Sequence, residues 1–126
     1  MSHLTRVKTK LVDLDMLKLA LADLDCQYEE GQNLKVAEVT SPILMKILFP
    51  GATKHVALIR DKDGTCSLAG DATVMGNLNR EGQIAQLSQR YAYHTVKSTL
   101  LKQGFLMDEE TVGAKNEIRM TLRRMD

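Results

Sequence analysis

At 126 residues, with 44% hydrophobic and 26% charged residues, the chain is the size of one domain and carries no disorder signature. A net charge of +1 excludes a global field that would steer it to nucleic acid or membrane, so any electrostatic role must come from how the charges are distributed. Tryptophan is absent and only 4% of residues are aromatic, which rests the core on Leu, Ile, Val, Met and Ala.

In chain order, Thr5 to Val12 alternates Val7 and Leu11 with Arg6, Lys8 and Lys10, the period of a strand with one apolar and one basic face. Asp13 then caps a first helix in which Leu14, Leu17, Leu21 and Leu24 recur at helical spacing, with Asp15 suited to the positive end of the dipole. That helix fades at Asp25-Cys26. A short strand around Gln27 to Glu30 turns at Gly31 into a second alternating run, Leu34 to Val39. The apolar segment Ile43 to Phe49, bracketed by Pro42 and Pro50-Gly51, has no pattern that assigns its conformation. Lys54 to Arg60 and Thr65 to Ala69 read as strands, and the intervening Asp61-Lys62-Asp63-Gly64 is a hairpin signal. Gly70 to Asn79 reads as a Gly- and Asn-bearing loop. A second helix runs from about Glu81 to Gln103 with Gly104 as its left-handed cap, and Phe105–Val112 and Glu117–Arg124 form a closing hairpin.

The expected architecture is therefore a single α+β domain over residues 1–126. It has an antiparallel sheet with two main helices packed on one face, in the order β-α-β-β-β-β-α-β-β. The opening MSHLTRVKTK has no apolar signal region, and Ile43–Phe49 is broken by Lys46 and too short to span a bilayer. A cytoplasmic location without a membrane partner is expected. Cys26 and Cys66 show no CxxC pairing and are expected as reduced, partly buried thiols.

The second helix carries the most pointed stretch, LSQRYAYHTVKS, Leu87 to Ser98. On a helical wheel Ile84, Leu87, Tyr91, His94 and Leu101 fall on one side, and Ala85, Ala92, Val96 and Leu100 form a second apolar stripe with Tyr93 at its edge. Gln86, Arg90 and Lys97 make a narrow polar strip. The first face is expected to pack on the sheet, with Leu101 in the core. Tyr93, Val96 and Leu100 are then left to make a subunit or partner contact. Tyr91 and Tyr93 point to different sides and cannot form one stacking platform. Tyr91 reads as a core aromatic with its hydroxyl at the rim, and His94 as a histidine satisfied by one hydrogen bond.

Catalytic signatures are weak. No Ser, Cys or acid lies at helical spacing from His94 to form a dyad, and no phosphate-binding glycine loop is present. His3, His55 and His94 show no HxH or HExxH spacing, so a metal site would have to be assembled from the remote His3 and His94. Neither a metal nor a cofactor is expected. Asp13, Asp15, Asp23 and Asp25 are explained by capping and solvation of the first helix. A basic face is conditional: if the first and last strands are neighbours, Arg6, Lys8, Lys10, Arg119 and Arg123 share one sheet surface that can meet phosphates. No aromatic interleaves them, which disfavours base stacking.

These residues resemble a known family. The MSH start, the RYAYHTV block and the final IRMTLRR are similar to the pattern of the hypothetical chloroplast reading frame thirty-five proteins, a family with a domain of unknown function. His3, Arg90, Tyr91, Tyr93 and His94 are the residues that carry the motif. Where the resemblance leads to an ADWWG-like segment before the second helix, this chain has Ala69 to Gly76 without tryptophan. The resemblance implies a small protein of the cytoplasm or plastid stroma that associates with an AAA-type ATPase. The leading reading is thus a non-enzymatic accessory or adaptor protein with a protein partner or a second copy of itself. The alternatives are sequence-independent nucleic-acid binding through the basic face and, ranked last, a metal-dependent enzyme using His3 and His94.

Overall fold

The structure, a computed structural model, describes residues 4–112 and 118–124. The elements in chain order are β1 (Leu4–Lys8), α1 (Leu14–Asp23), β2 (Gln27–Glu30), β3 (Met45–Leu48) and β4 (Val56–Arg60). They continue with β5 (Cys66–Asp71), α2 (Ala72–Arg80), α3 (Gln83–Lys102), β6 (Phe105–Val112) and β7 (Ile118–Arg124). Strands β1 to β5 form one antiparallel sheet in the order β1-β5-β4-β3-β2, while β6 and β7 pair as a separate two-stranded sheet. The fold is α+β, as the sequence pattern predicts.

Strand alternation builds two layers on this sheet. Met45, Ile47, Val56, Leu58, Cys66 and Leu68 face one way and meet Leu17, Ala20 and Leu21 of α1, Val74, Met75 and Leu78 of α2, and Leu87 of α3 in one core. Ala57, Ile59 and Ala69 face the other way and are covered by Val36, with Val39 and Ile43 packed alongside. All three helices therefore lie on one face, and the irregular segment between β2 and β3 covers the opposite one. With both faces covered, β5 is buried along its whole length.

Local chemistry explains the boundaries. The Asp13 carboxylate accepts from the amides of Asp15 and Met16 and starts α1. In the β4–β5 turn, Asp61 N donates to Thr65 O at 2.7 Å, and Asp63 Oδ1 accepts from both the amide and the hydroxyl of Thr65. Gly64 takes φ +88 there, a conformation that costs any other residue a Cβ clash.

Two elements differ from expectation. The alternating run Leu34–Val39 is not a strand. Asn33 and Ala37 hold φ +64 and +43, and Val39 N closes a turn onto Val36 O at 3.0 Å. Its apolar residues settle on the shallow surface of Ala57 and Ala69 instead of entering the ladder. The vacated sheet position goes to Met45–Leu48, the segment without a sequence assignment. The stretch read as a loop, Gly70–Asn79, holds the helix α2 from Ala72 onward. Asp71 supplies its cap, accepting from Thr73 N at 2.9 Å, and burial of Val74, Met75 and Leu78 outweighs the low helix propensity of Gly76, Asn77 and Asn79.

Candidate functional site

The RYAYH residues of α3 meet the end of α1. Asp23, the last residue of α1, accepts from Arg90 Nε and from a terminal guanidinium nitrogen, both at 2.8 Å. With its proton on Nε2, His94 donates to the same Asp23 oxygen at 2.5 Å. Arg90 also lies over the Tyr93 ring, 4.4 Å from its centroid, while Lys97 donates to the Tyr93 hydroxyl at 3.3 Å. The His94 ring stands edge-on to Tyr93 at 4.8 Å. Partial burial pushes the Asp23 carboxyl up, but the hydrogen bonds from His94 and Arg90 and their charges outweigh it and hold it below the ordinary value. A carboxylate held by Arg90 and His94 of a second helix is a clamp that fixes α3 to α1.

Tyr91 makes a second tie. Its hydroxyl accepts from the amides of Val12 and Asp13 at 3.1 and 2.9 Å, which pins the β1–α1 connection to α3, and its ring packs against the main core. Arg60 holds the same connection from the other side, donating to Val12 O at 3.0 Å and to Gly64 O at 2.8 Å. Between the connection and α3 runs a largely apolar groove of about 330 Å³, lined chiefly by Leu11, Tyr91, Ala92, Thr95 and Val96 with Lys10 at its rim. Val96 is 45% exposed there, on a helix that both ties hold still.

The sequence-predicted residues are distributed unevenly over this geometry. Tyr93 is buried within its own chain and does not contribute to an exposed contact, because Arg90, Lys97 and His94 enclose its ring. Val96 is exposed and Leu100 half-buried. Leu101, expected in the core, is 40% exposed. The buried residues of α3, Leu87 and Tyr93, reach no further than its middle, and its last turns run on past the sheet beside β6. Ile84, Leu87 and Tyr91 are thus on the packed side, as expected, with Tyr93 buried at its edge, and the Ala92–Val96 stripe is the outward one.

The basic face does not assemble. β1 pairs with β5 and β7 with β6, so Arg119 and Arg123 belong to a different sheet from Arg6 and Lys8. Arg6 is ion-paired with Asp61, which also accepts from the Ser67 hydroxyl, and Lys8 meets Asp63 at 2.6 Å. The Lys8 hydrogen bond holds the Asp63 carboxyl far below the usual carboxylate range and raises the Lys8 ammonium in turn. Lys10 lines the groove instead. His3 lies outside the described residues, and among the described residues no three His, Cys, Asp or Glu side chains gather to hold a metal. Nor is any described helix long and apolar enough to cross a membrane. Asp23 is the residue that sequence reasoning missed. Its partners are 67 and 71 positions away, beyond the reach of any local pattern.

Fold and clamp together define a small α+β protein whose long helix is tied down by its Arg-Tyr-Ala-Tyr-His stretch. The chain belongs to the family described as "Protein of unknown function (DUF1257)", which it matches over residues 20–121. It is similar to "Uncharacterized protein ycf35" of Cyanophora paradoxa and of Guillardia theta, 28% identical to each over 98% of this chain and 98% of each relative. The protein of the same description from Pyropia yezoensis is 26% identical over the same shares. The family resemblance carried by the MSH start and the RYAYH block is thereby established. No solved structure matches the chain.

Proposed function

We propose that the protein is a non-enzymatic accessory protein that works through protein contacts, and that its contact surface is the groove between Leu11 and α3. The observation that supports this is the outward Ala92–Val96 stripe, an apolar strip on a helix already held by Asp23 and Tyr91. A rigid apolar groove with a polar rim is the form that a partner's side-chain anchor recognises, since little ordering entropy is lost on binding. Its occupant is a segment of a partner protein that brings an aliphatic anchor for the groove and a carboxylate for Lys10. The resemblance implies an AAA-type ATPase as the source of that segment.

The nucleic-acid alternative rested on five cations sharing one surface, which the strand order separates. The metal reading needed a free His94, whose Nε2 is taken by Asp23. Pull-downs with the wild-type protein and a Val96→Glu variant test the adaptor reading. The expected outcome is one protein, retained by the wild type and lost by the variant, with unchanged circular dichroism and thermal melting. Retention by both proteins, or by neither, overturns it. Light scattering on the wild type shows whether the retained partner is a second copy of this chain.

A further inference from the structure

On the sheet face away from the helices lies a second cavity, of about 400 Å³. Three lysines line it, each brought by a different segment: Lys35 by the stretch that covers the sheet, Lys46 by β3, and Lys54 by the β3–β4 connection. Thr53 and His55 add polar side chains to the wall, and Val36 supplies an apolar patch.

The charges here are not balanced. Asp71 is the one carboxylate in the lining, and it is already engaged: one oxygen caps α2 through Thr73 N, and the other lies 3.7 Å from Lys54 Nζ. Three cations against one anion leave a local charge of +2, more than the +1 of the whole chain. Glu29 is the cross-strand neighbour of Lys46 on the exposed strand β2, yet no ion pair forms between them. Lys35 and Lys46 have no ion-pair or hydrogen-bond partner among the described residues. Arg6, Lys8 and Lys18, by comparison, are paired with carboxylates. Like charges gathered in a concave, partly apolar wall repel one another and focus a positive potential, which a bound anion relieves. Ala37 in the same wall holds φ +43, a left-handed conformation for a residue with a Cβ, and strain of that kind concentrates at binding sites.

We propose that this cavity binds a small phosphorylated molecule of mononucleotide or sugar-phosphate size. Lys35 and Lys46 take the phosphate charge, Thr53 and His55 donate to its oxygens, and Val36 packs under the unphosphorylated part. The volume lies within the range of about 300–1,000 Å³ typical of small-molecule sites. A lone phosphate would leave most of it unfilled.

The test is titration of the full chain with inorganic phosphate, adenosine monophosphate and ribose 5-phosphate, followed by calorimetry and by amide chemical shifts. One-to-one binding is expected for the two organic phosphates, at least tenfold tighter than for inorganic phosphate. Shifts should centre on residues 35–37, 46 and 53–55. Lys35→Met and Lys46→Met should each weaken binding about tenfold, roughly 1.4 kcal/mol. Val96→Glu should leave it unchanged, which separates this site from the adaptor groove. Lys35 is exposed and Lys46 half-buried, and circular dichroism checks that each variant folds. If Lys46→Met fails to fold, the Lys35→Met protein decides. Absence of binding at millimolar ligand, or binding undiminished in Lys35→Met, overturns the proposal. A single-stranded oligonucleotide that outcompetes the mononucleotide with a steep salt dependence would reassign the site to nucleic acid and overturn it as well.

Discussion

One face of the five-stranded sheet is sealed by three helices and filled with Leu, Ile, Val and Met, whereas the other is covered by a single irregular segment resting on two alanines and an isoleucine. The helix face packs these side chains into one core, and the ion pair of Asp23 sits at its rim, where it ties α1 to α3. The opposite face keeps room for a cavity with unpaired lysines beside a backbone in left-handed conformations. The two faces are built differently. Interdigitated aliphatic packing holds the fold, and the small side chains of Ala57 and Ala69 leave a shallow surface where charge can gather without disturbing the core.

Hollowing the helix face should have the largest effect. Leu87→Ala, at a fully buried position, should cost toward the top of about 2–5 kcal/mol in urea unfolding, whereas Ile59→Ala on the shallower opposite face should cost toward the bottom of that range. Equal losses would mean that the two faces share the stabilisation. Asp23→Asn should come next, at about 1 kcal/mol near neutral pH, because it weakens the paired hydrogen bonds to Arg90 and His94 at a partly exposed site. The Asp23 carboxyl is held below its ordinary value of 3.8, so its contribution is fully present above that pH and lost as the pH falls through the lower folded value. The difference between wild type and variant should therefore shrink below about 4. A difference that persists undiminished well below that pH would contradict the clamp.

Smaller effects are expected at the far end of α3 and at the thiols. Leu101→Ala, at an exposed position, should change stability by less than about 1 kcal/mol, and a loss in the core range would place the last turns of α3 back against the sheet. Burial on the helix side pushes the Cys26 thiol up to about 11, and Cys66 is fully buried. Neither should react measurably with iodoacetamide at pH 7.5 until the protein is unfolded in urea. Rapid labelling of the native protein would show that the α1–β2 corner opens.

Periodicity and capping chemistry made the first helix, the long helix, the Asp61–Gly64 turn and the α+β class legible, because each is written in residues a few positions apart. The same local reading miscast Gly70–Asn79, where tertiary burial of Val74, Met75 and Leu78 overrides weak propensity, and Leu34–Val39, whose alternation matched a strand that the sheet filled with Met45–Leu48. It singled out Arg90, Tyr91, Tyr93 and His94 but not the partner that organises them. Nor did it gather Lys35, Lys46 and Lys54, which no shared spacing relates.

By itself, then, the sequence determined the family, the fold class and the helix that matters, since those follow from short-range patterns and from one block of five residues, Arg90 to His94. Only the tertiary structure decided that Tyr93 is buried within its own chain, that Asp23 closes the clamp, that β1 and β7 part company, and that three lysines meet across the sheet. The physical reason is range. Hydrophobic period and caps act within a turn or two of the chain, whereas ion pairs, strand partners and cavities depend on distances that exist only once the layers have packed.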